Sequence, residues 1–237
     1  MTHLNGRFWS NWFRSVFCRE ITLYCDTVVQ RCLPTLDEIA AEAQSAAESE
    51  YARFGEMPYT DDGPGPDELA DVALNKGIGR FEELSSVRQI LLNLFVAGLH
   101  HLFEQQLLYF LRRQVLRPEN EDDVSLMRVD ELCARLIERG LDVKTLQSWR
   151  TITELRLVAN VVKHAEGRSC GELRGRRPDL FVHPSLRLGR DSELAGIVPV
   201  YRPLGGDSIY VTEADVSRYR DELVAFWHEF AGKIETL

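Results

Sequence analysis

Leu36, Ile39, Ala40, Ala43, Ala47, Tyr51 and Phe54 recur three or four positions apart, the spacing that gathers side chains on one face of an α-helix. Thr35 followed by Glu38 has the form of a capping box at the start of this run, and Gly55 closes it. "MPYTDDGPGPDE" carries too much proline and glycine to stay helical and reads as a loop. The helical spacing returns near Glu68, is loosened by Gly77 and Gly79, and then runs from Val87 to Leu111. This predicts the longest and most apolar helix of the chain, ended by Pro118 and "ENEDD".

A shorter helix follows over about Val129 to Arg139, with Gly140 placed for a left-handed cap. Asp142 is positioned to cap the next helix, which contains "ELRLVANVVKHAEG" and which Gly167 can end. "IVPVYRPLGGDSIYVT" reads as two extended runs around a Gly-Gly-Asp turn, the pattern of a hairpin. Thr212 and Asp215 then open a final amphipathic helix. The fold class is therefore mainly α: a helical bundle with a small C-terminal β-hairpin and a final packing helix. Residues 1–33 are expected as a peripheral N-terminal helical extension, and residues 34–237 as the bundle with its hairpin and helix addition.

One helix departs from simple amphipathicity. With Trp149 at zero and about 100° per residue, Ile152, Leu155, Val158, Ala159 and Val162 share one arc. Lys163, Arg156, Asn160, Thr153 and His164 fill the next, and Leu157 with Val161 lie beyond them. A polar strip with apolar surface on both sides predicts a groove closed by a second packing partner, either another helix or another subunit. Cations held in such a groove suit an anion, because a low local dielectric strengthens their attraction to phosphate. The plainer alternative is that Lys163 and His164 only complement the helix dipole in its last turn, with Arg156 paired to a nearby acid.

Charge sharpens this picture. From Leu36 to Glu83 there are 13 acidic residues against Arg53, Lys76 and Arg80, whereas Lys163 to Arg190 carries a net positive balance. The formal net charge of -9 argues against coating by bulk nucleic acid and leaves only a local basic surface. Cys18, Cys25, Cys32, Cys133 and Cys170 show no C-x-x-C pair and no metal-ligand spacing, so they read as reduced packing residues of a cytoplasmic protein. No run is long and apolar enough for a membrane span, and no membrane partner is expected.

On Arg156 and His164, the chain resembles the HEPN superfamily of small helical bundles, many of them metal-independent RNA endonucleases of toxin–antitoxin and antiviral defence systems. Their motif sets an arginine, a polar residue and then a histidine on one late helix, and dimerisation joins two copies at a composite cleft. Here seven residues separate Arg156 from His164, and Leu157 occupies the usual polar position. A separation of eight turns the histidine about 80° from the arginine and lifts it about 12 Å, so a homodimer would be needed to bring the two together.

The resemblance implies His164 as general acid or base for attack of a ribose 2′-hydroxyl, and Arg156 as the stabiliser of transition-state charge. Asn160 and Lys163 would be substrate contacts. Arg168, Arg174, Arg176 and Arg177 would track an RNA backbone. The scheme calls for no metal and no cofactor. Possible partners are RNA or a nucleotide and an antitoxin or other protein. The alternative is a non-catalytic HEPN-like scaffold that binds nucleotide, RNA or protein through the same groove. His100, His101 and Glu104 could be imagined as metal ligands but read as core or interface side chains, since no second element supplies further ligands. Gly205 and Gly206 lack the Lys-Ser/Thr of a phosphate loop and belong to a turn.

Overall fold

The longest apolar run becomes the axis of the fold. In the computed structural model, which describes residues 5–57, 63–115, 129–138, 140–187 and 204–236, the chain is mainly helical. Helix α1 (Gly6–Trp12) and helix α2 (Cys18–Thr27) are joined by a π-helical turn at Phe13–Phe17, and a second such turn, Val28–Cys32, follows α2. Helix α3 (Ile39–Gly55) lies along helix α4 (Pro66–Val115). Helices α5 (Val129–Ile137), α6 (Trp149–His164), α7 (Arg168–Arg176), α8 (Pro184–Arg187) and α9 (Glu213–Glu235) complete the described chain.

Helix α4 does not break at its glycines. Gly77 instead lets α3 approach: a Cβ there would stand 2.9 Å from the Ala43 carbonyl oxygen and 3.0 Å from the Ala47 Cβ. Further along, the expected positions Phe103, Leu107, Phe110 and Leu111 are buried, whereas Val87 and Leu94 of the same run are exposed and Leu92, Val96 and Leu99 face the core instead.

The N-terminal segment is not peripheral. Trp9, Phe13, Phe17, Ile21 and Cys25 are buried in the main core, where the Phe13 ring centre lies 4.7 Å and the Phe17 centre 4.8 Å from that of Trp227 on α9. Trp9, Phe13 and Phe17 recur every four residues, which turns their rings to one face of the segment, while Phe8 stays 49% exposed. Gln106 satisfies the buried polar groups of this layer, accepting from the Trp227 indole at 3.0 Å and donating to the Phe17 carbonyl at 3.2 Å. Burial pushes the Cys18 thiol up to about 11 and the Cys25 thiol up to about 12, consistent with packing residues rather than nucleophiles.

Several local expectations are corrected. Thr35 forms no capping box: it sits in a tight 3₁₀ turn, Leu33–Leu36, and its hydroxyl donates to the Cys32 carbonyl at 2.6 Å. Asp142 caps the 3₁₀ turn Val143–Thr145 through the Lys144 amide, and α6 begins only at Trp149. Gly167 does not end α6 but precedes α7; the cap is Ala165, at φ 54°. Gly140 does adopt the left-handed conformation, φ 82°, after α5.

No strand forms among the described residues, so the hairpin is absent from its described half, Leu204–Thr212. Residues 197–203 of that expectation lie outside the described residues. The physical reason is competition for backbone groups. Buried Asn93 donates to the Gly206 and Ile209 carbonyls at 2.8 Å each, and Gln89 donates to the Val211 carbonyl at 3.0 Å. The Tyr210 amide donates to the Leu180 carbonyl at 2.8 Å. The segment is a strap held by α4 side chains. Beyond it, Thr212 and Asp215 form the complete capping box of α9 that the sequence predicts.

Candidate anion-binding site

Helix α6 is buried on both sides of its polar strip: Ile152, Leu155, Val158 and Ala159 on one side, Leu157 and Val161 on the other. Its neighbours are α4, α7 and α9 of the same chain. The strip itself divides between two clefts. Arg156 lines a cleft of about 760 Å³ between α4 and α6, together with His100, Glu104, Asp130, Lys144 and Trp149. Asn160 and His164 line a different, smaller one at the start of α7, where the Asn160 amide donates to the Ser169 hydroxyl at 3.4 Å. Arg156 and His164 are exposed at their rims and Asn160 is half-buried, while exposed Lys163 lines neither cleft but a third, with His164, Gly205 and Gly206.

The larger cleft holds a side chain that sequence reasoning set aside. His100 is only 7% exposed, and its Nδ1 atom is buried with no hydrogen-bond partner among the described residues. Burial first, and then the positive charges of Lys163 and Arg156, lower its pKa to about 4, so its imidazole is neutral at physiological pH. A buried polar atom without a hydrogen-bond partner is costly. Phe103, Leu107, Leu108 and Ile152 supply apolar wall, and Trp149 a half-buried ring. The visible signal was a histidine set within the stripe Val96, Leu99, Phe103 and Leu107, all of them apolar.

His101 and Glu104 do not join His100 as a metal site. His101 is exposed, with Nδ1 3.9 Å from a Glu104 carboxylate oxygen, while His100 turns into the core side of α4. Among the described residues no group of three or more His, Cys, Asp or Glu converges.

The arginine-rich segment is largely committed elsewhere. Arg177 bonds three carboxylates, Glu154 at 2.7 Å, Asp179 at 2.7 Å and Asp215 at 2.8 Å, and is a structural tie rather than a substrate contact. Glu154 also accepts from Tyr219 at 2.8 Å and from Arg218, so α6, the turn after α7 and the start of α9 meet at one ionic knot. Burial alone would raise the Glu154 and Asp215 carboxyls. The hydrogen bonds from Arg218, Tyr219 and Arg177 outweigh it for Glu154, as those from Arg177 and Thr212 do for Asp215, and both titrate below their ordinary values. Arg168 pairs with Glu172 at 2.8 Å, and the Arg174 guanidinium lies 4.8 Å from the Phe181 ring centre. Arg176 is exposed. These residues therefore do not form one continuous basic track toward His164.

No family model matches the chain, and no curated protein or solved structure matches it either. No helix among the described residues is long and apolar enough to cross a membrane.

Proposed function

We propose that this chain is a HEPN-like binding protein whose α4/α6 cleft takes a phosphate-bearing ligand, a nucleotide or one nucleotide of an RNA strand. The observation that carries this reading is the pairing of Arg156, which has no acidic partner among the described residues, with buried, unpartnered His100 in one cleft. Arg156 and Lys144 would meet the phosphate, charge-assisted and partly shielded. Trp149 and the apolar wall suit a flat ring. Glu104 and Asp130 can accept from sugar hydroxyls or ring amines.

RNA cleavage is the second reading, favoured by one observation: His164 is exposed beside Asn160 and Ser169 and open to a second subunit. Within one subunit, Arg156 and His164 line separate clefts, so the reaction would need a homodimer.

The test is equilibrium binding of AMP and of a short single-stranded RNA to the full chain in chelator, with cleavage followed in parallel. Binding that weakens tenfold or more in Arg156→Ala and in His100→Ala supports the cleft. Binding unaffected by both substitutions removes it. Cutting abolished by His164→Ala, with AMP binding retained, establishes the second reading.

A further inference from the structure

Helices α3 and α4 also build an arm away from the core. Between Ile39 and Ser85, Ala43 and Ala73 are buried, yet neither joins the main hydrophobic core. Large apolar side chains stay in water there: Tyr51 is 52% exposed, Leu74 58%, Ile78 47% and Phe81 47%. Leu74, Ile78 and Phe81 follow i, i+4, i+7 spacing and fall within an arc of about 60° on α4. A groove lined by Ala47, Tyr51, Ala70 and Leu74 continues this strip between the two helices. A contiguous apolar surface of this kind on a charged arm calls for an occupant.

Charge chooses that occupant. The stretch from Leu36 to Glu83 carries 13 acidic residues against three basic ones. By helical position, Asp71 and Glu82 edge the strip on its outer side and Asp67 continues its line at the N-terminal end, while exposed Glu48 lines the groove from α3. The cations are turned from it or already paired: Arg53 with Glu50 at 2.5 Å, and Arg80 with Glu42 at 3.4 Å and Glu83 at 3.6 Å. Lys76 lies about 160° round the helix from Ile78. A second copy of this arm would bring the same acidic edges against these, a like-charge contact that disfavours self-association.

We propose that the outer groove of the α3/α4 arm docks a cationic amphipathic helix of a partner polypeptide. Its apolar face covers Tyr51, Leu74, Ile78 and Phe81, and its lysines or arginines meet the acidic edges.

A synthetic 18-residue helix of leucine and lysine serves as the probe, with its leucine–glutamate counterpart as control, by fluorescence anisotropy against the full chain. The expected result is binding of the leucine–lysine helix that weakens with salt, falls at least tenfold in the Leu74→Asp/Ile78→Asp double variant, and is unchanged in Leu94→Asp, another exposed leucine of α4. Both apolar positions are exposed, so the double variant should retain its circular dichroism, and Asp67→Lys/Asp71→Lys should weaken binding without touching the apolar strip. The proposal is overturned by equal binding to wild type and the double variant, by equal loss in Leu94→Asp, or by no binding of the leucine–lysine helix. A wild-type dimer in sedimentation that Leu74→Asp/Ile78→Asp dissociates would also overturn it, making a second copy the occupant.

Discussion

Arg156 and His164 stand on the same helix but line different clefts, the arginine with His100 and Trp149 against α4, the histidine with Asn160 and Ser169 against α7. Ligand binding and any phosphoryl chemistry are thereby separable by substitution. His164→Ala should leave AMP affinity within about twofold of wild type, whereas Arg156→Ala should lower it by one to two orders of magnitude, the range for loss of a charge-assisted contact of about 1.5 to 3 kcal/mol. Titration calorimetry of the two variants checks this, and equal losses would tie both residues to one site.

The ionic knot makes a separate stability prediction. Asp215 is 8% and Arg177 19% exposed at the side chain, so Asp215→Ala leaves a buried guanidinium short of a partner and should cost about 3 to 5 kcal/mol in denaturant unfolding. Glu154, Asp179 and Asp215 all titrate below their ordinary values of 4.5, 3.8 and 3.8 in the folded chain, Asp179 chiefly through its bonds from Arg177. A depressed folded pKa gives stability that is present above the unfolded value and lost as pH falls through the folded one. The acid-unfolding limb below about pH 4.5 should therefore flatten in the Asp215→Ala variant.

His100 acts in a higher window. Its folded pKa of about 4 lies below the ordinary 6.5, so between these values the unfolded chain binds the extra proton. Stability should be full above pH 6.5 and fall on acidification toward pH 4, by an amount on the order of 3 kcal/mol. The charged and titratable groups around it are Arg156 and Lys163 on α6, His101 and Glu104 on α4, and Lys144 and Asp130 across the cleft. His100→Phe should remove this slope while leaving the lower limb, as read from unfolding midpoints at stepped pH.

Ala165 holds φ at 54° and ψ at -101°, a conformation a Cβ resists. Ala165→Gly should raise stability by about 1 kcal/mol, measured as a shift of the denaturant midpoint at constant slope. A fall in stability would show that the Ala165 methyl, packed against the core, contributes more than the backbone relief.

Much of this architecture was legible because helix periodicity is local. The helical character of α4 and its buried Phe103, Leu107 and Phe110, the paired Thr212 and Asp215 at α9, and the left-handed Gly140 each depend on residues within a turn or two. The spacing misjudges which face of α4 is buried before Phe103, since Val87 and Leu94 are exposed. The strap at Leu204–Thr212 was not legible as such, since its carbonyls are taken by Gln89 and Asn93 from more than a hundred positions away. The same holds for the N-terminal aromatics, whose partners Trp227 and Phe230 lie at the other end of the chain. The polar strip of α6 was visible, but helical angles alone could not show that α4 and α7 divide it. His100 was visible too, yet its unpaired Nδ1 and its neighbours Lys163 and Arg156 are tertiary facts.

The most direct measurement is a pH titration of the histidine ring resonances of the full chain, in the absence and presence of AMP. Burial holds the His100 imidazole neutral and the charges of Lys163 and Arg156 add to it; a phosphate seated beside Arg156 offsets that second contribution, so His100 should shift on AMP addition and its titration should move upward from about 4. The contrary result is a His100 resonance indifferent to saturating AMP, and it would show that the α4/α6 cleft does not receive the phosphate.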